Sequence, residues 1–227
     1  MVHLCNEKND FDMEILIVNG SPRREGNTAR MCRAFAEGVA SAGRDVSVET
    51  VRLYDLDYKG CRSCFACKRR GAAGYGRCVV RDGLAPLLER ALRADALVIA
   101  SPIYLMDVTG AVRSLVERLL FPLSTYEAGY RTVAPRRIPV VMLYTMNVTR
   151  ELLPAPQLDA LEAFVGHVFT PPRRICACDT YQFERYDDYV VEVFSEQAKR
   201  RYRETRFPEE LRAAFDAGRE TAENLAR

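Results

Sequence analysis

Histidine is nearly absent from this sequence, because the 227 residues include only His3 and His167. A catalytic triad that pairs serine or cysteine with histidine is therefore not expected. The charge imbalance is also small, since 33 Lys and Arg face 31 Asp and Glu and leave a formal net charge of +2. This balance gives no reason to expect nucleic acid or an anionic membrane as a partner.

Long apolar runs are missing as well, and no stretch approaches the roughly 20 residues that a helix needs to cross a bilayer. The first twelve residues, MVHLCNEKNDFD, lack the basic-then-apolar order of a secretory signal. We therefore predict a flexible tail at residues 1–12 and a soluble, cytoplasmic protein. In that compartment the eight cysteines are not expected to form structural disulfides, which leaves metal, cluster or redox roles for them.

Short apolar runs alternate with helical patterns along most of the chain, and 48% of its residues are hydrophobic. The runs predict five strands, at residues 15–18, 46–53, 96–100, 138–144 and 174–178. Helical patterns lie near residues 28–42, 84–94, 110–121, 157–167 and 209–225. This alternation predicts a three-layer α/β fold, in which a doubly wound five-stranded parallel sheet carries helices on both faces.

Two long segments interrupt the alternation. Residues 54–83 carry cysteines and glycines, and residues 180–208 are rich in tyrosine, phenylalanine and arginine. Segments of this length in a compact domain are usually functional or form interfaces. We therefore expect residues 13–227 to form a single domain with a cysteine-rich insertion and a C-terminal extension.

The loop NGSPRREGNT, residues 19–28, joins the first predicted strand to the first predicted helix. Free amides and the dipole at a helix N-terminus favour an anion. A triphosphate loop needs four residues between its glycines and then a lysine, whereas five separate Gly20 from Gly26, and Asn27 replaces the lysine. The dinucleotide pattern G-x-G-x-x-G is missing too. The hydroxyl and amide donors favour a single terminal phosphate, and an ordinary strand–helix turn is the alternative.

Two further segments follow the third and fourth predicted strands. In SPIYLMDVTG, residues 101–110, an apolar ledge suits a flat isoalloxazine ring, unless its residues only pack the core. It consists of Pro102, Ile103, Tyr104, Leu105 and Met106. In YTMN, residues 144–147, Thr145 and Asn147 offer hydrogen bonds to the polar edge of such a ring. The carboxyl ends of parallel strands meet at one edge of the sheet, so we expect the three loops to lie together.

The insertion contains CRSCFACKRRGAAGYGRC, with four cysteines, Cys61, Cys64, Cys67 and Cys78. Four thiolates in one loop are the ligand set of a cubane cluster or a tetrahedral zinc. Ten residues separate the last two cysteines, which is more than compact cluster motifs use. Basic neighbours also favour thiol redox chemistry, and cysteines can pack as small hydrophobes. A [4Fe–4S] cluster, zinc and a metal-free loop are therefore all retained.

SPRREGNT resembles the S-P-x-x-x-G-N-T loop of NADPH-dependent FMN reductases and iron–sulfur flavoproteins, in the flavodoxin-like superfamily. SPIYLMDVTG, YTMN and the cysteine motif resemble segments of the same family, apart from the longer last cysteine gap. The resemblance implies a flavodoxin-like fold, with the four cysteines as the metal ligands if a cluster is bound. It assigns FMN binding to Ser21, Pro22, Arg23, Gly26, Asn27, Thr28, Pro102, Ile103, Tyr104, Leu105, Asp107, Gly110, Thr145, Met146 and Asn147.

The resemblance implies an FMN-dependent oxidoreductase that takes hydride from NAD(P)H and reduces a small acceptor, such as a quinone, a flavin, a nitro compound or a metal. Hydride transfer needs no acid or base from the protein, so no catalytic residue is assigned, and Tyr104 is expected to stack at the ring. One alternative is an electron carrier that links a [4Fe–4S] cluster to FMN, with ferredoxin as its partner. Another is a flavin-free phosphate-binding module.

Subunits of the resembled family assemble into dimers or tetramers, so we expect a homodimer or a homotetramer. Residues 180–208 would then form an aromatic interface arm. The same segment could equally wrap around its own domain.

Overall fold

The computed structural model describes residues 13–226, and the predicted tail at residues 1–12 lies outside this range. Its strands are β1 Met13–Asn19, β2 Val46–Arg52, β3 Ala96–Tyr104, β4 Asp107–Val108, β5 Val140–Thr145 and β6 Arg173–Ala177. Five of them form a parallel sheet in the order β2-β1-β3-β5-β6, and the short β4 pairs antiparallel with the end of β3. The predicted flavodoxin-like sheet is thus confirmed, with β4 as an additional strand.

Helices cover both faces of the sheet, which explains why its strands are continuous apolar runs. In β1, Leu16 and Val18 face the layer formed by α2 Ala85–Arg93, α3 Gly110–Leu123 and α4 Ala155–Val168. Ile15 and Ile17 face the layer formed by α1 Asn27–Ser41 and α6 Phe207–Leu225. The hydrophobic core therefore consists of two halves, one on each side of the sheet.

Two glycines bring α1 and α6 into direct backbone contact. A β-carbon on Gly38 would lie 1.9 Å from the carbonyl oxygen of Phe215, and one on Gly218 would lie 2.0 Å from that of Phe35. Neither distance leaves room for a side chain, so any larger residue at either position would push the helices apart. The crossing fixes the position of α1, whose N-terminus lies at the functional edge of the sheet.

The strand register brings three loops to that edge. Asn19, the last residue of β1, pairs with Ala100 of β3, and Pro102 of β3 pairs with Thr145, the last residue of β5. The loops after β1, β3 and β5 are therefore neighbours, as the sequence predicts.

The two interrupting segments differ in structure. Residues 54–83 have little regular structure. They contain a 3-10 turn at Ala66–Lys68 and the end of another at Leu53–Asp55. Residues 180–208 contain a helix that the sequence analysis did not predict, α5 Glu196–Thr205, whose N-terminus is capped by Ser195. The only buried side chain of α5 is that of Lys199, so the helix lacks the apolar stripe that normally identifies one.

Within residues 13–226, no helix has both the length and the apolar character that spanning a membrane requires.

Candidate functional site

The loops after β1, β3 and β5 enclose one cavity at the carboxyl edge of the sheet, which we call the edge cavity. Most of the residues predicted to bind FMN line it. They are Ser21, Arg23, Gly26, Asn27, Thr28, Pro102, Ile103, Tyr104, Thr145, Met146 and Asn147. The geometry therefore brings the three predicted segments together around one space.

One end of the edge cavity is the N-terminus of α1. Gly26 is the residue before this helix and provides no side-chain cap, and the first helical turn holds no acidic residue. Its amide groups and its dipole are therefore available to an anion. The loop in front is held by its own side chains, since Asn19 Oδ1 accepts a hydrogen bond from the Ser21 amide at 2.9 Å. The hydroxyl of Ser21 in turn accepts one from the Arg23 amide at 3.2 Å.

Side chains also tie the three loops to one another. The buried hydroxyls of Thr28 and Thr145 share a hydrogen bond of 2.8 Å, which links the start of α1 to the end of β5. Thr109, the residue that caps α3, donates its hydroxyl to the carbonyl oxygen of Gly20 at 2.9 Å. These buried bonds cross between loops that are distant in sequence, so they fix the shape of the cavity.

The other end of the edge cavity is apolar on one side and polar on the other. Pro102, Ile103 and Tyr104 form the apolar side, and Tyr104 stays 48% exposed at the rim. On the polar side, the buried Oδ1 of Asn147 has no hydrogen-bond partner among the described residues. A buried oxygen without a donor costs about 1–3 kcal/mol, which a ligand N–H placed there would recover. This orphan acceptor fits the polar edge of a flavin ring.

Four of the predicted residues do not line the edge cavity. Leu105 projects fully into solvent at the turn between β3 and β4, and Asp107 forms an ion pair with Arg113. Gly110 is the first residue of α3, and Pro22 is an exposed residue of the first loop. Their predicted role in FMN binding stays a prediction.

The C-terminal arm, residues 180–208, adds wall residues that sequence reasoning missed. Thr180 and Gln182 line the edge cavity. The hydroxyl of Thr180 donates to the carbonyl oxygen of Met146 at 3.0 Å. The sequence assigns neither residue to a ligand, and the folded path of the arm brings both to the cavity. The structure thus shows the arm wrapped on its own domain, and its predicted role as an interface stays a prediction.

The arm also contacts the phosphate loop directly. The guanidinium of Arg23 donates to the carbonyl oxygen of Gln182 at 2.6 Å, and the side-chain Nδ2 of Asn27 donates to that of Tyr181 at 2.9 Å. Two donors that the sequence assigns to a phosphate therefore also hold the arm in place.

A buried lysine fastens the arm beside the edge cavity. Lys199 is 1% exposed, and its ammonium donates to the carbonyl oxygen of Asn147 at 2.7 Å and forms an ion pair with Asp179 at 2.5 Å. The cation thus holds the backbone of the third loop. Sequence reasoning missed Lys199, because its spacing carries no signal of burial.

The four cysteines of the insertion line a second, smaller cavity. Cys61 and Cys64 are exposed and Cys67 is buried. The backbone N–H of Ala66 and the nearby Arg62 lower the pKa of the exposed Cys64 thiol, whereas burial raises the pKa of the Cys67 thiol. Within residues 13–226, no three His, Cys, Asp or Glu side chains are close enough together to hold a metal ion. The thiols therefore share a cavity without forming a ligand set, and the predicted metal role stays a prediction.

A buried arginine fastens the cysteine-rich insertion. Arg118 lies on α3, and its guanidinium donates to Asp82 at 2.9 Å and to the carbonyl oxygens of Lys59 and Val80 at 3.0 and 3.2 Å. It also donates to the sulfur of Cys78 at 3.3 Å. The hydrogen bonds from Arg118 lower the pKa of Asp82 and keep that carboxylate charged. The position of Arg118 beside Leu115 and Leu119 on the apolar face of α3 is the sequence signal that could have identified it.

Comparisons with known proteins agree with the fold. The family model described as NADPH-dependent FMN reductase matches residues 13–152. The chain therefore belongs to the NADPH-dependent FMN reductase family. An iron–sulfur flavoprotein from Archaeoglobus fulgidus is 34% identical over 124 residues, which are 54% of this chain and 57% of that protein. The chain spans about half the length of the curated relatives it matches.

Solved structures share the fold at low sequence identity. An NAD(P)H:quinone oxidoreductase from Methanothermobacter marburgensis superposes with a TM-score of 0.62 at 17% identity, covering 92% of this chain and 96% of that one. An FMN-dependent NADH-azoreductase from Bacillus anthracis, solved in complex with FMN, superposes with a TM-score of 0.61 at 14% identity. That match covers 94% of this chain and 100% of the azoreductase.

Proposed function

We propose that this chain is an oxidoreductase that binds FMN in the edge cavity and transfers electrons from NAD(P)H to a small acceptor. The proposal rests on one observation, which is that a single cavity has an anion-binding end and a hydrogen-bonding end. An uncapped helix N-terminus suits the phosphate at one end, and the orphan oxygen of Asn147 suits the polar ring edge at the other. The relatives named as iron–sulfur flavoproteins, quinone oxidoreductase and azoreductase support the same class of chemistry.

The side chains divide the work of binding. Ser21, Asn27 and Thr28 surround the helix N-terminus and would hold the phosphate, and Asn147 would accept from the ring. When bound, FMN supplies the hydride and single-electron chemistry. The chain itself binds, orients and shields, so no acid or base side chain is required of it.

Access for substrates follows from the exposed rim. Tyr104 lines the apolar side of the cavity and is 48% exposed there. We propose that NAD(P)H and the acceptor approach over this rim in turn. We propose as the acceptor either a metal or a small flat molecule, such as a quinone, a flavin or a nitro compound. We also propose that the working unit is a homo-oligomer.

The test is uptake of FMN by the purified protein, followed by oxidation of NADPH or NADH with a quinone. We expect flavin absorption bands on the wild-type protein and about tenfold weaker FMN binding for Asn147→Ala, because a buried hydrogen bond to the ring is lost. Asn224→Ala, at an exposed position on α6, is the matched control and should bind FMN normally. A protein that stays colourless after FMN is added would refute the proposal.

A second candidate function is electron transfer through a [4Fe–4S] cluster on the insertion, with ferredoxin as the partner. Two observations favour it. The four thiols line one cavity, and the curated relatives are named iron–sulfur flavoproteins. Because the thiols do not form a ligand set here, we assign no electron path to them. Anaerobic reconstitution with iron and sulfide tests this candidate, and retention of iron that Cys64→Ser abolishes would favour it over the reductase.

A further inference from the structure

A larger cavity lies beside the edge cavity, and we call it the arginine cavity. It has a volume of about 540 Å³ and is formed by the start of α1, the arm and α5. Arg23, Gly26 and Asn27 line both cavities, so the two spaces meet at the phosphate loop. Its size falls within the roughly 300–1,000 Å³ of typical small-molecule sites.

The charge around the arginine cavity is unbalanced. Arg23, Arg30 and Arg203 line it, and none of them forms an ion pair with another described residue. Of the acidic residues in the wall, Glu25 pairs with Arg33 at 2.8 Å and Asp188 pairs with Arg185 at 3.5 Å.

Only one acidic wall residue, Glu184, is left to face the three guanidinium groups that lack an ion pair. Burial and the positive charges of Arg203 and Arg33 lower the pKa of Arg30. An anion between these groups would relieve their mutual repulsion.

Aromatic rings form the rest of the wall. Phe183 and Tyr189 stack with their centroids 4.1 Å apart and their planes 19° apart. The guanidinium of Arg203 lies 5.2 Å from the centre of the Tyr181 ring. Flat apolar faces next to free cations suit a ligand that is both aromatic and anionic, whereas inorganic phosphate would leave the rings unused.

We propose that the arginine cavity binds an adenosine phosphate group, with the base against the aromatic wall and the phosphate between Arg23, Arg30 and Arg203. The inference rests on the proposed function, because such a group reaches this enzyme from two sources. The first source is NADPH, whose adenosine half carries an additional 2′-phosphate. The second is FAD, whose adenosine half is joined to the flavin phosphate and would extend from the shared phosphate loop.

Calorimetric titration with adenosine 2′,5′-bisphosphate tests the inference on flavin-free and FMN-loaded protein. We expect saturable binding to both forms, and Arg203→Gln should weaken it about tenfold or more, because one charge-assisted bond is lost. Arg201→Gln is the matched control, since this neighbouring arginine of α5 is exposed and does not line the cavity. Absence of binding, or an equal loss in both variants, would overturn the inference.

Two further measurements distinguish the sources. Arg203→Gln should raise KM for NADPH more than for NADH if the co-substrate supplies the group. If FAD supplies it, the flavin-free wild type should bind FAD more tightly than FMN, and the variant should lose that difference. Weakened FMN binding by Arg203→Gln with unchanged bisphosphate binding would assign the arginines to the flavin phosphate and overturn the inference. The bisphosphate titration needs no flavin, so it can fail or succeed independently of the proposed reductase activity.

Discussion

The cysteine-rich insertion and the C-terminal arm are the two long segments outside the regular fold. Each is linked to the rest of the domain by a buried cation, but the two cations belong to different partners of the contact. Arg118 belongs to core helix α3 and bonds outward to the insertion. Lys199 belongs to the arm and bonds inward to the loop after β5. Through Arg118 the scaffold holds the insertion, whereas through Lys199 the arm holds part of the scaffold.

The chemistry of the two cations suits these roles. The planar guanidinium of Arg118 has five donors and can bind a carboxylate, several carbonyls and a sulfur at once. The ammonium of Lys199 is a compact charge that satisfies one carboxylate and one carbonyl. Loss of Arg118 should free the insertion and leave the edge cavity intact. Loss of Lys199 should instead disturb the edge cavity, because Lys199 holds the backbone of Asn147.

The largest expected effect is that of Arg118→Met on stability. The substitution leaves Asp82 without its partner and several carbonyls without donors, so we expect unfolding to become easier by about 3–5 kcal/mol. Urea unfolding measures the change. If the free energy of unfolding falls by less than about 1 kcal/mol, the Arg118–Asp82 pair behaves as a surface ion pair and other contacts hold the insertion.

The next largest effect is that of Lys199→Met. We expect it to lower the free energy of unfolding by about 2–4 kcal/mol, because fewer hydrogen bonds depend on this cation than on Arg118. Unlike Arg118→Met, it should also weaken FMN binding. Fluorescence titration with FMN on both variants separates the two roles. Equal flavin affinities in the two variants would contradict the difference drawn between the segments.

Thiol reactivity gives a smaller contrast between the same regions. The amide of Ala66 and Arg62 lower the pKa of Cys64 in the insertion, whereas burial raises the pKa of Cys178, next to the arm, to about 11. Because the thiolate is the reactive form, alkylation of Cys64 should begin at a lower pH than that of Cys178. Timed iodoacetamide labelling with peptide mass spectrometry measures both midpoints. Arg62→Gln should move only the Cys64 midpoint upward, and the reverse order of midpoints would refute the assignment.

The smallest expected effect is that of Arg200→Gln, beside Lys199 on α5. Its ion pair with Glu196 lies on the surface, one helical turn apart, so Arg200→Gln should change the free energy of unfolding far less than Lys199→Met does. Urea unfolding alongside Lys199→Met compares the two neighbours directly. A loss as large as that of Lys199→Met would mean that α5 as a whole, and not its buried cation, holds the arm.

The sheet and the three loops could be predicted because their signals are local. Each strand of the parallel sheet is a short apolar run, and the phosphate loop is a contiguous motif between a strand and a helix. Parallel topology then places the loops together without further information. The short β4 was missed because two residues are too few to show a pattern.

The contacts between distant segments could not be predicted. Helix α5 was missed because it buries a lysine where a helix normally buries apolar side chains. Thr180 and Gln182 reach the edge cavity through the path of the arm, which depends on the Lys199–Asp179 pair and on the hydrogen bond from Arg23. Such contacts depend on tertiary packing, which periodicity along the chain does not record.

Gly38 packs against the backbone of Phe215, and Gly218 packs against that of Phe35, so the end of the chain supports its beginning. Helix α6 covers Phe35 and Val39 of α1, and α1 starts at the phosphate loop. Trimming the chain back through α6 would therefore uncover an apolar surface and remove the helix that packs against the phosphate-loop helix. A protein shortened in this way should lose its affinity for phosphate-bearing ligands although every residue lining the edge cavity is still present.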